Sequence, residues 1–379
     1  MLFYFSVVII PIITCCRIYK LKNMKYFPNE TKADILLVCD SINICGVTRK
    51  YKEIYRVLKE KKYNVIRLDT SNFNNYKIMP IWSDLQLILP TPSNFFLIKK
   101  FMTINNPKYV HILTEGPLGL LMVMFCVFNN IEYSTMFCTR VDKYVEENIH
   151  KIFGIIFRWY YYYFHKNSKC IITPSKSMID IVYNITKHPN IKGILNGCNT
   201  EDFRHYGPGN KEMNNLKGPI WLYVGRLCKS KGIQDLLDIS YLLPGTIVLV
   251  GEGPLYKYRN NYKSIKFLGW KTKEELNKCY RSADVFVFPS KTDTFGQVMI
   301  EAMLCGIPVA SYNVIGPKDV VINGVTGVLN DNLYEACIKT YINSDPFKCI
   351  NHARSFTWEK MVDEFIEVIN LSNLKNKLE

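Results

Sequence analysis

The chain of 379 residues contains 48% hydrophobic and 21% charged residues, a balance typical of a folded globular protein that excludes a disordered or collagen-like chain. At roughly 150 residues per domain, this length predicts two or three domains. Lys and Arg number 48 against 33 Asp and Glu, and the net charge of +15 favours anionic partners, namely phosphorylated ligands, acidic lipid surfaces or nucleic acid.

The first predicted element is an apolar run at the N-terminus. Residues 1–16 contain no charged side chain, and four basic residues follow by position 25. The run is slightly shorter than the roughly 20 residues that usually span a bilayer, and neither a basic leader nor a clear cleavage site indicates a signal peptide. Because the positive charges follow the run, the positive-inside rule favours a membrane anchor at residues 1–23 with the body of the protein in the cytoplasm. The alternative is a soluble cytoplasmic chain with an apolar leader.

From residue 33 the sequence alternates short apolar runs with longer amphipathic stretches, which is typical of a parallel sheet covered by helices. The predicted strands of the first half are ADILLVCD, NVIRL, KYVHILT, EYSTMFC and KCIITPS. The stretches TRKYKEIYRVLKEKKY, with charges on one face, and GLLMVMFCVFNN, which is apolar, predict helices. The aromatic and basic stretch FRWYYYYFHK predicts a half-buried helix, although a membrane or nucleic-acid contact is an alternative. This half is predicted to form a Rossmann-like domain over residues 30–205.

A segment rich in Gly, Asn and Pro, residues 204–219, predicts a linker. After it, the alternation of short apolar runs and amphipathic stretches begins again. The predicted strands of the second half are IWLYV, TIVLVG, IKFLG, DVFVFPS and IPVASY. They indicate a second Rossmann-like domain over residues 215–355, followed by a C-terminal helix over residues 356–379. The predicted fold class is therefore α/β, with two doubly wound parallel sheets facing a cleft in which ligands bind at the carboxyl ends of the strands.

The cysteines predict structural thiols. There are 13, an odd number, they form no C-x-x-C pair, and most lie in apolar stretches. This pattern disfavours a zinc site or a disulfide framework and is typical of buried thiols in a reducing compartment.

One segment, DVFVFPSKTDTFGQVMIEAMLCGIPVA, combines a buried strand, a polar loop and a helix. The loop presents Asp293 and its backbone amides at the start of a helix, which suits an anionic or hydroxyl-rich ligand. Glu301 follows about two turns later, so both carboxylates can reach one ligand. A simple helix N-cap is the alternative reading of Asp293.

A second segment, WLYVGRLCKSKGIQDLL, places two cations at the end of a strand. Arg226 offers a planar fork and Lys231 a point charge, which together predict a clamp for a pyrophosphate. The alternative is a pair of solvated cations on an exposed loop.

The pattern GR-x4-KG and the spacing from Asp293 to Glu301 resemble retaining glycosyltransferases of family 4, which have the GT-B fold, although the first acidic residue of that loop is usually Glu. The further matching motifs are HILTEGPLG, CTRVDKYVEEN, IITPSKSM, ILNGCNTEDF, VGEGPL, FLGW and SFTWEKMVDEF, so the resemblance covers about residues 33–370. The motifs TEGPLG, TR-x3-YV and SKTDTFG most resemble the GDP-mannose-dependent α-mannosyltransferase subgroup.

The resemblance implies roles for individual residues. The implied donor-binding residues are Gly46, Arg226, Lys231, Thr294, Phe295, Gly296 and Glu301. Of these, Arg226 and Lys231 would hold the donor diphosphate and Glu301 the nucleotide ribose, while Asp293 and the amides of the loop would hold the donor sugar.

The implied catalytic residues are Asp293 and Cys138, and the implied acceptor-side residues are Glu115 and Arg140. Two positions depart from the family. Cys138 stands where a histidine is typical, and the glycine loop has Gly46 alone, preceded by Cys45, where two glycines are common. These departures leave a non-catalytic GT-B-like protein that binds a nucleotide sugar or a partner as the alternative function.

The resemblance thus implies transfer of a hexose, with mannose the expected sugar, from a nucleotide sugar with retention of configuration. No D-x-D triplet occurs, so neither a bound metal nor a cofactor is expected. The N-terminal run and the positive charge favour a lipid-linked or glycan acceptor and a membrane surface as partners. Nucleic acid is not expected, because no recognition module accompanies the charge.

Overall fold

The structure is a computed structural model that describes residues 32–40, 46–73, 76–78, 86–88, 91–262, 265–343 and 345–370. The predicted anchor at residues 1–23 lies outside the described residues. Within these ranges, no helix combines the length and the apolar character needed to cross a bilayer.

The first half contains a six-stranded parallel sheet with the order β2-β1-β5-β6-β7-β8, and a separate antiparallel pair, β3-β4. Its strands are β1 (Ile35–Cys39), β2 (Val65–Asp69), β3 (Tyr76–Ile78), β4 (Gln86–Ile88), β5 (Tyr109–Ile112), β6 (Tyr133–Met136), β7 (Ile171–Thr173) and β8 (Ile191–Gly193). Its helices are α1 (Gly46–Glu60), α2 (Pro92–Asn105), α3 (Pro117–Phe128), α4 (Val141–Asn148), α5 (Lys151–His165) and α6 (Ile179–Thr186).

The second half repeats this plan with a parallel sheet of order β11-β10-β9-β12-β13-β14. Its strands are β9 (Ile220–Val224), β10 (Thr246–Val250), β11 (Ile265–Gly269), β12 (Val285–Phe288), β13 (Val309–Tyr312) and β14 (Gly327–Asn330). Its helices are α7 (Ile233–Asp238), α8 (Lys273–Arg281), α9 (Gln297–Leu304), α10 (Pro317–Val320), α11 (Leu333–Asn343), α12 (Pro346–Ala353) and α13 (Trp358–Val368).

Both sheets are buried on both faces, which explains why their strands are continuous apolar runs. Successive side chains of a strand point to opposite faces. In β1, Ile35 and Leu37 therefore join one hydrophobic cluster while Leu36 and Val38 join another. The strands of the second half divide in the same way between two clusters. The prediction of two doubly wound sheets is confirmed.

The last helix, α13, returns to the first half. Trp358 and Phe365 pack in the same cluster as Ile35 and Leu37 of β1. The helix passes so close to the chain at Gly197 that a Cβ there would lie 2.6 Å from the Cα of Trp358. The two ends of the described chain thus share one core.

Eight of the ten cysteines in the described ranges are buried, and all ten are free thiols, as the sequence predicted. The predicted linker at residues 204–219 forms turns and irregular backbone before β9.

Candidate active site between the two sheets

A cavity of about 180 Å³ lies between the two halves of the chain. Its walls come from the segments that follow β6, β9 and β12, so it opens at the carboxyl ends of parallel strands from both sheets. The residues that line it are Cys138, Thr139, Arg140, Lys143, Tyr144, Ser230, Lys231, Thr292, Asp293 and Thr294. The sequence predicted a site in this cleft, and five of these residues were predicted site residues.

Lys231 and Asp293 form an ion pair inside the cavity. Nζ lies 2.5 Å from Oδ1, and both side chains are partly exposed. The backbone brings them together, because Gly232 has a φ of 68° and a Cβ there would lie 2.1 Å from the carbonyl oxygen of Pro289. Only glycine allows the turn that carries Lys231 to pack this closely against the end of β12.

The loop before α9 supplies mainly backbone to the site. Gly296 has a φ of 85°, and α9 begins at the next residue. The Phe295 side chain is buried and its ring lies 6.3 Å from that of Phe356, so only its backbone is available to a ligand. The hydroxyl of Thr294 crosses the cleft and donates to the carbonyl oxygen of Cys138 at 3.1 Å.

Glu301 lies in the second turn of α9, and its carboxyl is buried. Burial raises the pKa of Glu301 to about 7, against the opposing effects of Arg49 and Tyr280. The Tyr280 hydroxyl donates to Oε2 at 3.1 Å, and Nη1 of Arg49 donates to Oε1 at 3.5 Å. A carboxylate has about four acceptor sites, so Glu301 can still accept hydrogen bonds from the hydroxyls of a ligand.

Arg49 is a residue that the sequence analysis missed. It lies on α1 in the first half and contacts both Glu301 and Asp202, with 3.8 Å between its Nη2 and the Asp202 carboxylate. It therefore links the two halves beside the predicted ribose ligand. The sequence shows that Arg49 lies one helical turn after Gly46. Helical periodicity does not predict which residues of the other half such an arginine contacts.

Five of the seven predicted donor-binding residues are not among the residues that line the cavity, namely Phe295, Gly296 and Glu301, described above, and Gly46 and Arg226. Gly46 is the first residue of α1, and residues 41–45 before it lie outside the described part of the chain. Arg226 follows β9 and is exposed, while its carbonyl oxygen accepts a hydrogen bond from the Tyr223 hydroxyl at 3.0 Å.

The catalytic candidate Cys138 and the acceptor-side candidate Arg140 both line the cavity. The thiol of Cys138 donates to the carbonyl oxygen of Leu113 at 3.5 Å. Arg140 forms a bidentate pair with the buried Asp142, with both N–O distances at 2.8 Å, which fixes the guanidinium.

The second acceptor-side candidate, Glu115, lies behind the cavity wall. Burial raises the pKa of Glu115 to about 8, although the carboxyl accepts hydrogen bonds from its own backbone N–H and that of Cys138. Its Oε1 lies 3.7 Å from Nε2 of the buried His165. Burial thus favours the neutral form of this carboxyl, which accepts a hydrogen bond from the backbone at Cys138.

Lys50 is a second residue that the sequence analysis missed. The sequence of α1 predicts that its charged side chains lie on the solvent-exposed face of the helix. Lys50, however, is only 2% exposed. Burial lowers the pKa of Lys50 to about 8, and Cys138 opposes this fall. Its Nζ has no hydrogen-bond partner among the described residues.

The chain is similar to known glycosyltransferases. Residues 210–344 match the family model described as "Glycosyl transferases group 1". A glycosyltransferase of Methanocaldococcus jannaschii whose role is uncharacterised is 29% identical over 54% of this chain and 60% of that protein. The GDP-mannose-dependent alpha-mannosyltransferase of Corynebacterium glutamicum is 24% identical over 78% of this chain and 76% of that protein. The chain therefore spans somewhat more than half of the first relative and three quarters of the second.

Solved structures confirm the GT-B fold. The sucrose-phosphate synthase of Thermosynechococcus elongatus superimposes with a TM-score of 0.69 at 20% identity, over 91% of this chain and 98% of that one. The Anabaena protein HepE, solved in complex with UDP and glucose, gives a TM-score of 0.64 at 16% identity, over 89% of this chain and 99% of that one. The match over residues 210–344 supports the resemblance to group 1 glycosyltransferases, whereas the mannosyl subgroup and the stereochemistry stay predictions.

Proposed function

Because residues 210–344 match the glycosyl transferases of group 1 and the described residues have the GT-B fold, we propose that the protein is a glycosyltransferase with a nucleotide sugar as its donor. The observation that carries the proposal is the cavity at the carboxyl ends of both sheets, where Lys231, Asp293 and Cys138 meet. It unites a cation, a carboxylate and backbone amides, which are the groups that a sugar attached to a diphosphate requires.

The donor would bind across this cavity. Departure of the leaving group builds negative charge on a diphosphate, and hydrogen bonds from charged donors contribute about 1.5–3 kcal/mol each. Lys231 would donate to the diphosphate from its position beside Asp293, and Arg226 would approach from the exposed end of β9. Asp293 and the loop amides would hold the sugar hydroxyls, while Glu301 would accept hydrogen bonds from the ribose.

We further propose that the sugar is mannose from GDP-mannose, transferred with retention of configuration and without a bound metal or cofactor. The motifs TEGPLG and SKTDTFG support the mannosyl assignment, as does the similarity to an enzyme named for GDP-mannose. The apolar N-terminal run and the charge of +15 support a lipid-linked or glycan acceptor and a body on the cytoplasmic side of a membrane.

A second candidate function is a non-catalytic protein that binds a nucleotide sugar or a partner. One observation favours it: Cys138 lines the cavity at the position where the family has histidine, and a thiol is a weaker hydrogen-bond donor than an imidazole. The two functions differ in turnover and not in binding.

The test is donor binding and turnover with the purified full-length chain, using GDP-mannose, UDP-glucose and UDP-N-acetylglucosamine, each with and without EDTA. We expect saturable turnover of GDP-mannose that EDTA does not abolish. Binding without turnover, in the presence of a panel of acceptors, would favour the second function, and turnover of a UDP-sugar alone would replace the assigned donor.

The mechanism has its own test in Arg226. A folded Arg226→Ala variant that keeps the wild-type turnover would contradict a role for this residue in holding the diphosphate.

A further inference from the structure

The outward side of α5 is an unbroken apolar stripe. We define the α5 outer face as the residues Ile152, Ile155, Ile156, Trp159 and Tyr163, each of which is between 47% and 60% exposed. Their spacing of three and four positions places them on one side of the helix. Single exposed apolar residues are ordinary on a protein surface, but a continuous patch of this kind marks an interaction site.

This stripe is not the core-facing side of the helix. The inner side of α5 is formed by Tyr161, Phe164 and His165, which are buried. Gly154 allows α4 to approach, since a Cβ there would lie 3.0 Å from the carbonyl oxygen of Asp142. The helix is therefore apolar on two sides, and only one of them is covered by residues that the structure describes.

We propose that the α5 outer face docks onto the surface of an anionic lipid bilayer. Large aliphatic side chains next to Trp and Tyr are the composition of helices that lie in the membrane interface. The rings of Trp159 and Tyr163 stack with their centroids 6.1 Å apart, and aromatic rings with a polar edge favour the depth of the lipid headgroups. With 15 residues, α5 is about 22 Å long, too short to span a bilayer, so it would lie in the plane of the surface.

Charge selects the lipid class. The exposed Lys151 and Lys166 stand at the two ends of α5, where their ammonium groups can reach phosphate groups while the stripe is buried. The net charge of +15 attracts the chain to a negative surface as a whole. Nucleic acid is also anionic, but it would leave a stripe that includes three isoleucines exposed to water.

Docking in this way would bring the cavity to the membrane. Helix α4 packs on α5, with Nη1 of Arg158 2.9 Å from the Glu146 carboxylate, and α4 also supplies Lys143 and Tyr144 to the cavity wall. A lipid-linked acceptor would then meet the donor at this wall, a consequence that rests on the proposed function. The docking itself does not depend on that function.

The experiment measures the fluorescence of Trp159 in the full-length chain. A local probe is needed because the apolar run at residues 1–16 could bind vesicles by itself. Vesicles of phosphatidylcholine, with and without an equal part of phosphatidylglycerol, carry doxyl-labelled lipid that quenches tryptophan at the membrane surface. We expect quenching with the anionic vesicles that is lost in Trp159→Phe and retained in Trp270→Phe, a matched control in the second half where Trp270 is 69% exposed. Quenching that is the same in both variants would overturn the proposal, even if the chain floats with the vesicles.

A second variant tests the aliphatic part of the stripe. The double change Ile155→Asn and Ile156→Asn removes two exposed side chains and is expected to abolish most of the quenching of Trp159 by the anionic vesicles, with the exposed Ile342→Asn as the control. Unchanged quenching of Trp159 would contradict docking by this face. If Trp159 becomes shielded without vesicles as the protein concentration rises, and Ile155→Asn dissociates a dimer in sedimentation, a second copy of the chain covers the face and the proposal is wrong.

Discussion

At the scale of single residues, Lys231 in the cavity is held in place by the carboxylate of Asp293 beside it. The distance of 2.5 Å between Lys231 and Asp293 keeps the ammonium at the position where the diphosphate is expected. We expect Lys231→Ala to lower donor turnover by about 10²–10³, since loss of one transition-state donor has that effect. The pair is partly exposed, so the free energy of unfolding should change by no more than about 1 kcal/mol.

The matched control for this change is Lys229→Ala, which removes an exposed lysine from the same short turn. Steady-state turnover and urea unfolding of both variants separate a local effect from a general loss of charge. Equal turnover in the two variants would contradict the role of Lys231.

Lys50 carries a prediction about pH. Burial lowers the pKa of Lys50 to about 8 from its ordinary value of 10.5, so the folded chain binds this proton less tightly than the unfolded chain does. The charged form therefore destabilises the fold below pH 8, and this effect disappears as the pH rises from 8 to 10.5. Lys50→Met should raise the free energy of unfolding by up to about 3 kcal/mol at pH 7, and the gain should shrink over that interval.

Lys52 lies two positions away on the same helix, is exposed and provides the comparison. Urea unfolding of Lys50→Met and Lys52→Met at pH 7 and pH 10 should show a pH-dependent gain in the first variant alone. A less stable Lys50→Met at pH 7 would mean that the buried ammonium is satisfied in the folded chain.

These residues also show how far the sequence determines the site. The places of Lys231, Asp293 and Glu301 in the fold were predictable, because the first two follow a strand and the third lies on the helix after the loop. Arg49 and Lys50 were not, because their roles depend on how the two halves meet, and a helical pattern reports only which side chains share a face. For the same reason the sequence did not indicate that Lys231 binds Asp293.

At the scale of elements, a glycine sets the distance between two strand ends. Gly232 ends the turn that carries Lys231, and a side chain there would clash with the backbone at Pro289. Gly232→Ala combines this clash with a left-handed φ of 68°, and we expect it to lower the free energy of unfolding by about 1–3 kcal/mol. Because the turn must shift, donor affinity should fall as well.

Gly324→Ala is the control for backbone strain, since Gly324 has a φ of 78° but nothing within 4 Å of an added Cβ. Urea unfolding and donor titration of both variants measure the two effects. Donor affinity that is unchanged in a destabilised Gly232→Ala would show that the position of the turn does not control the site.

The elements themselves followed the sequence closely, with differences at their ends. The helix predicted from FRWYYYYFHK begins earlier, at Lys151, because the preceding residues continue its apolar pattern and His150 caps it. The short strands β3 and β4 were not predicted, and neither were the edge strands β8 and β14 of the two sheets, since three or four residues are too few to show a period. The other five strands of each sheet were predicted from their apolar runs.

At the scale of the whole molecule, the C-terminal helix packs against the first half of the chain. The C-terminal helix was expected from its periodicity, but its place was not, because an amphipathic helix does not reveal which half covers its apolar side. In the structure α13 packs on β1 and α1 of the first half, far from its neighbours in sequence. The stability of the first half therefore depends on residues at the far end of the chain.

Phe365 tests this dependence. Its side chain is 0% exposed, and its ring lies 4.7 Å from the ring of His111 on β5. Truncation of a buried phenylalanine costs about 3–5 kcal/mol, so Phe365→Ala should destabilise strongly, while Phe347→Ala, at 72% exposure, should have little effect. The loss should appear as faster amide hydrogen exchange in β1 and β5, with smaller changes in β9 and β12. If exchange increases in the second sheet while β1 stays protected, α13 does not stabilise the first half. The helix would then stabilise the core of the second half instead.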